Sequence, residues 1–232
     1  MDYTLCYWPL PFRGQFVRVL LTHVGATWDE VAFDDILAMK VLPPAEQPIP
    51  HMGPPLLIDH SDGVTLSQTQ AILTYLGEKY DLLPPDRVGR AMTAKVIADA
   101  NDVLCEMTRN NGAQMWTPED WQDFQPRLAR WMQMFEVLGQ RHGLTPETDS
   151  GTFLGTERLG VADLVVACLW GVMTDRVPSL RPVLDREAPA IAALADRVWA
   201  APTQVVLRTR SIESFGDQWC SGYIEESLRK VV

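Results

Sequence analysis

The sequence predicts a small α/β domain followed by an all-helical one, and three observations carry that reading. Strand and helix signals alternate up to Leu83 in the order β-α-β-loop-β-β-α. Pro84-Pro85-Asp86 then interrupts the pattern as a linker would. Beyond it no convincing strand appears, only apolar stripes at helical spacing. The boundaries fall at residues 1–83 for the first domain, 84–88 for the linker and 89–232 for the second domain.

Each element has its own signal. Tyr3 to Tyr7 is short, aromatic and β-prone, and Pro9 and Pro11 turn the chain after it. Arg13 to Val24 places Phe16, Val17, Leu20, Leu21 and Val24 on one helical face, and Gly25 gives the stop signal. Trp28 to Phe33 reads as a second strand. A strand, helix and strand in this order favour a parallel pair. Asp34 to Met52 carries Pro43, Pro44, Pro48 and Pro50 and is expected to be a loop with at most one short helix. Pro55 to Asp59 is a buried-type strand, His60 to Gly63 a turn, and Val64 to Leu66 the hairpin partner. Ser67 or Gln68 opens a helix with Ala71, Ile72, Tyr75, Leu76 and Tyr80 on its apolar face.

In the second domain Arg90 to Met107 is helical. Pro118 sits in the first turn of a helix whose stripe is Trp121, Phe124, Leu128, Trp131, Met134, Phe135 and Leu138. Val161 to Val172 is apolar almost all round, the mark of a central bundle helix. Ala188 to Trp199 and Pro202 to Leu207 add two shorter helices, and Phe215 to Val232 is read as a tail.

Composition excludes several functions. The chain has 232 residues, 47% of them hydrophobic and 22% charged, an ordinary globular balance. Thirty acidic against twenty basic residues leave a net charge of -10, so no cationic field draws nucleic acid or an anionic membrane. No apolar run reaches the ~20 residues of a membrane span. MDYTLCYW has no basic region before an apolar stretch, so a cytoplasmic protein is expected. Cys6, Cys105, Cys168 and Cys220 form no CxxC, and His23, His51, His60 and His142 form no spaced cluster. No zinc site or dithiol centre is expected.

Tyr7-Trp8-Pro9, Pro55-Leu56-Leu57-Ile58-Asp59 and Leu66-Ser67-Gln68-Thr69-Gln70-Ala71-Ile72 stand in an order and spacing that resembles the cytosolic glutathione transferases, of a tyrosine-type, bacterial-like kind. The resemblance covers nearly the whole chain. It implies a thioredoxin-like first domain with a cis proline and a helical bundle as the second domain. Glutathione would be the co-substrate, with no metal.

The implied roles have a physical logic. Gln68 and Thr69 stand where a strand becomes a helix, and the free N–H groups and dipole there stabilise a carboxylate, in the family the γ-glutamyl one. A cis Pro54-Pro55 bond would turn the backbone at position 54 outward to meet an extended peptide, although Pro54 offers only its carbonyl. Tyr7, by its spacing from Leu20-Leu21, matches the catalytic tyrosine. A phenol donating to sulfur lowers the thiol from its usual pKa of roughly 8.5. Such a donor is worth on the order of 3 kcal/mol. Arg13 would add positive potential beside it. Pro11 to Phe16 contains no hydroxyl or thiol, which disfavours the serine and cysteine types, and Cys6 points to the opposite face of its strand.

The resemblance also implies Asp99 for the α-amino group across a dimer interface and Lys40 for the glycyl carboxylate. Gly160 and Asp163 read as half of a capping box. Trp8, Leu10, Met107, Met115, Trp116 and Trp219 are expected to wall an apolar co-substrate pocket. The expected protein is a homodimeric, detoxifying transferase that conjugates glutathione to apolar electrophiles. The alternatives are a non-catalytic carrier of glutathione or hydrophobic ligands, and a glutathione-dependent isomerase or peroxidase.

Overall fold

A computed structural model describes residues 1–232. Its only sheet is built from β1 (Tyr3–Cys6), β2 (Trp28–Glu30), β3 (Leu56–Asp59) and β4 (Val64–Ser67), in the order β2-β1-β3-β4. β1 runs parallel to β2, pairing Tyr3 with Trp28, and antiparallel to β3, pairing Leu5 with Leu57. β3 and β4 form the expected hairpin, with Leu57 opposite Leu66. Helices α1 (Arg13–His23), α2 (Phe33–Lys40) and α3 (Thr69–Lys79) complete this part of the chain.

Strand alternation sorts β1 between two cores. Tyr3, Leu5 and Tyr7 enter a large core shared with the helical domain. Cys6 turns to the other face and packs with Leu56 and with Ile36 of α2, as a buried thiol. That small cluster is why the proline-rich segment after β2 makes a helix at all: Ile36 is the one buried residue of α2. The second strand is shorter than the alternation suggested. It stops at Glu30, and Phe33 already lies in α2, whose first turn carries Asp34 and Asp35 where the helix dipole favours them.

The helical domain begins with α4 (Arg87–Met107), capped by Asp86, whose carboxylate accepts the Val88 and Gly89 N–H groups. It continues through α5 (Pro118–Arg141), α6 (Val161–Ala167), a π-helical stretch at Cys168–Val172, α7 (Met173–Arg176), α8 (Arg181–Glu187), α9 (Pro189–Trp199), α10 (Pro202–Phe215) and α11 (Gly222–Arg229). Every residue of α6 is buried, which agrees with its reading as the bundle centre.

Two differences from the sequence reading concern the C-terminal end. The helix opening at Pro202 runs on to Phe215, and the supposed tail contains α11. That short helix is fixed by tertiary contacts: the buried Glu225 carboxylate accepts the Trp219 N–H at 2.9 Å and the Cys220 N–H at 2.8 Å.

The domains are joined at main-chain carbonyls. Val161 N–H donates to the Leu82 carbonyl at 3.0 Å, and the Gln204 side chain donates from Nε2 to the Val19 carbonyl of α1 at 3.0 Å. Gly160 stands where a hydroxyl cap is usual because a Cβ there would lie 2.6 Å from the Leu82 carbonyl oxygen. Asp163 supplies the other half of the box, accepting the Gly160 N–H at 2.8 Å.

Candidate functional site

A cleft of about 700 Å³ opens where the sheet's end meets α4 and the C-terminal segment. Tyr7, Trp8, Leu10, Arg13, Lys40, Pro54, Pro55, Gln68 and Thr69 all line it, so most of the residues singled out in the sequence converge.

Tyr7 follows β1 and is 3% exposed. Its phenol oxygen accepts the backbone N–H of Arg13 at 2.9 Å, doing for α1 what no capping side chain does, since Phe12 stands at the cap. An oxygen that accepts from a helix N-terminus still has its own hydrogen to give. Burial pushes the phenol up to about 12, against the opposing pull of the Arg13 and Arg18 charges and the helix N–H groups. Tyr7 is therefore a protonated donor at neutral pH. It fits against α1 only because position 14 is glycine: a Cβ there would stand 2.3 Å from the Tyr7 ring.

Arg13, the first residue of α1, donates from Nε to Asn101 Oδ1 of α4 at 3.1 Å and lies over the Phe12 ring at 4.8 Å. Arg18 is 2% exposed. It holds the Tyr7–Leu10 turn by donating to the Leu10 carbonyl at 2.9 Å and the Trp8 carbonyl at 3.4 Å, while Glu30 takes its other donors at 2.7 and 2.8 Å. Its guanidinium lies 5.8 Å from the centre of the Tyr7 ring.

The Pro54-Pro55 bond is cis. Across the cleft mouth, Gln68 has φ 75° and ψ 123°, a conformation that costs a side-chain-bearing residue about 1–3 kcal/mol. No side chain caps α3, so the N–H groups of its first turn remain available for an anion. Thr69 is the first residue of that turn and is buried. The Lys40 ammonium lies 5.7 Å from the Trp8 ring, and Trp8 packs on Phe33 at 5.9 Å.

Five expected residues stand elsewhere, among them Met115, which is exposed and does not border the cleft. Met107 is fully buried, and its carbonyl accepts the Trp116 indole N–H at 2.9 Å. Trp116 packs edge-on against Trp121 at 5.3 Å, inside the bundle. Trp219 is 1% exposed and meets Phe12 edge-on at 5.4 Å, so it backs the cleft wall instead of forming it. Their place was expected from the layout of the chain, which brings apolar side chains near the cleft without saying whether core or cleft receives them. Asp99 is bound by Lys95 on the same helix and lies off the cleft-facing stripe of α4.

That stripe is polar: Asn101, Asp102, Cys105 and Thr108. It was missed, as were Asn111, Cys220 and Ile224, which also border the cleft. Arg18 carried a legible signal, a lone charge amid the apolar run Phe16 to Leu21.

A second groove of about 800 Å³ lies between residues 81–93 and 154–163. At the helix N-termini that reach it, Asp86 accepts the Val88 and Gly89 N–H groups of α4, while Asp163 and the Leu82 carbonyl accept the Gly160 and Val161 N–H groups at the start of α6. No group of three or more His, Cys, Asp or Glu side chains is placed to hold a metal ion.

Comparison with known proteins adds the following. Residues 92–231, more than half of the chain, match the family model for the C-terminal domain of glutathione S-transferase. No curated protein matches the sequence. The fold is similar to the Pi-class glutathione S-transferase of Onchocerca volvulus, with TM-score 0.72 at 20% identity over 90% of this chain and 93% of that one. It is also similar to prostaglandin synthase D of Nilaparvata lugens, with TM-score 0.67 at 18% identity over 90% of this chain and 98% of that one. At such identities the likeness is one of fold.

Proposed function

Because the chain belongs to the glutathione S-transferase family, we propose that it activates the thiol of glutathione through Tyr7 and adds it to an electrophilic small molecule. The observation that carries the reading is the Tyr7 hydroxyl, whose oxygen is held by the Arg13 N–H and whose hydrogen is left for a ligand in the cleft.

The tripeptide lies extended along the thioredoxin-like domain. Its γ-glutamyl carboxylate sits on the open N-terminus of α3 at Gln68 and Thr69. Its cysteinyl N–H donates to the Pro54 carbonyl, and Lys40 meets the glycyl carboxylate. The thiol gives its proton to solvent, and the resulting thiolate accepts the Tyr7 hydrogen bond under the positive field of Arg13. Sulfur then attacks the electrophilic carbon, and the leaving group departs with its bonding pair. Thiolate stabilisation and proximity supply the rate, so no further acid–base pair is required.

The test is the ultraviolet thiolate band of the glutathione complex, followed against pH. A donor worth on the order of 3 kcal/mol places the midpoint about two pH units below its position in Tyr7→Phe. An unchanged midpoint in the variant, or no binding of glutathione, would refute the reading.

A carrier of the same fold is the second reading. Pro54 favours it, since that residue lacks the N–H needed for a two-bond contact to the peptide. An intact glutathione complex without a thiolate band would select it. Isomerisation or peroxide reduction would proceed on the same thiolate and is separated by the co-substrate consumed. A homodimer in the cytoplasm completes the proposal, and light scattering tests the dimer.

A further inference from the structure

Apart from the residues assigned to glutathione, the cleft carries two unlike sets of lining side chains. Trp8, Leu10 and Ile224 are apolar. α4 and the turn after it add Asn101, Asp102 and Asn111, with Ile224 packed beside Gly112 of that turn. The large apolar side chains that would have made this wall greasy, Met107, Trp116 and Trp219, are turned into the core.

The turn is unusual. Arg109, Asn110, Asn111 and Gly112 follow one another with φ of 45°, 58°, 58° and 83°, a complete left-handed turn. L-residues resist this conformation, and only short polar side chains such as Asn tolerate it readily. The surroundings fix it from several sides. The Gly112 N–H donates to the Thr108 carbonyl at 2.7 Å, and the Cys105 thiol donates to Asn110 Oδ1 at 3.6 Å. Arg109 pairs with Asp120 at 2.6 Å and lies 4.9 Å from the Trp116 ring. Asn111 has no such tie, and its exposed carboxamide borders the cleft. Asn101 spends its oxygen on Arg13 and keeps its amide N–H groups.

The geometry points to Asn111, together with Asn101 and Asp102, as the specificity-determining residues of the co-substrate side, selecting electrophiles that carry a hydrogen-bonding group over hydrocarbon-like ones of equal reactivity. The inference rests on the conjugation reading above and departs from the apolar co-substrate that the sequence suggested. A polar co-substrate satisfies the carboxamides, whereas an apolar one strips them of water and leaves them unpaired.

The experiment compares 4-chloro-3-nitrobenzamide with 4-chloro-3-nitrobenzotrifluoride, each catalysed rate being divided by its spontaneous rate. The ring, leaving group and substituted position are shared. In both reactions the sulfur–carbon bond forms, chloride leaves with its electron pair and the thiol proton passes to solvent. The variant is Asn111→Gly, which removes the carboxamide while glycine accepts the left-handed backbone.

Wild type is expected to favour the benzamide in kcat/KM. The variant should lose roughly 3- to 10-fold of that preference, the scale of one net hydrogen bond, with the thiolate band of bound glutathione unaltered. An equal preference in wild type and variant, with the thiolate band present in both, overturns this assignment alone. Absence of the band in wild type overturns the conjugation reading and this inference with it.

Discussion

Replacing Gly14 by alanine sets two physical effects against each other at the residue on which the proposed chemistry depends. Alanine favours a helix over glycine by up to about 1 kcal/mol, so a tolerant site would be stabilised. This site is not tolerant. The new Cβ would lie 2.3 Å from Cδ1, 2.4 Å from Cγ and 2.9 Å from Cβ of Tyr7. Carbon atoms rest at about 3.5–4.0 Å, so the ring must retreat by more than an ångström. Tyr7 is 3% exposed and has the Arg18 guanidinium beside its ring, so it cannot retreat inward. Either the phenol swings into the cleft or α1 backs away, and both break its bond with the Arg13 N–H.

Overpacking costs about 1–3 kcal/mol, and the lost hydrogen bond adds about 0.5–1.5 kcal/mol. Set against the propensity gain, the net loss is about 1–3 kcal/mol. At roughly 2–4 °C per kcal/mol for a chain of this size, the melting temperature should fall by several degrees. The thiolate midpoint of bound glutathione should rise toward its value in Tyr7→Phe. Calorimetry and the ultraviolet titration read the two effects separately. A Gly14→Ala protein as stable as wild type, with an unshifted midpoint, would refute both the packing of Tyr7 and its role as donor.

The remaining predictions concern the edges of the site and the base of the sheet. Glu225→Gln weakens the clasp on the Trp219 and Cys220 N–H groups. Its stability in urea should drop by about 1–3 kcal/mol, and the KM for the electrophile should rise more than that for glutathione, because Cys220 and Ile224 border the cleft. A KM effect confined to glutathione would contradict this. Asp59 is opposed by burial, yet hydrogen bonds from Lys79, Ser61 and Tyr75 hold its carboxyl far below the usual carboxylate range. A depressed acid stabilises the fold above its unfolded pKa near 4 and loses that contribution as pH falls through and below it. The melting temperature of wild type should therefore decline between pH 5 and 3 more steeply than that of Asp59→Asn, and parallel curves would exclude the effect.

What the sequence made legible was local. Tyr7, the Pro54-Pro55 pair and Gln68-Thr69 are each fixed by chain geometry within a few residues, and all meet in the cleft. What it hid depends on how elements dock. Met107 and Asn101 both lie on α4, and only packing decides that Met107 faces the bundle and Asn101 the cleft. Trp116 and Trp219 were misplaced for the same reason, their apolar surface being as useful behind a wall as on it. Helix α11 is only eight residues long, too short for its apolar spacing to stand out within a tail, and Glu225 holds the backbone before it. The left-handed turn was within reach: Asn110-Asn111-Gly112 is the composition that accepts positive φ, and it follows a helix.

The cleft is bordered by residues from nearly opposite ends of the chain, Tyr7 and Arg13 on one side, Cys220 and Ile224 on another. On the ribosome the thioredoxin-like strands emerge first, together with the tyrosine and the open helix end that faces it. The enclosure is finished only when residues 219–225 have followed and Glu225 has gathered in the backbone before it. A polypeptide cut short before Cys220 would keep the tyrosine, cis proline and α3 terminus, yet present them in a trough open on one side. Making the segment around Glu225 is in this sense the step that closes the pocket.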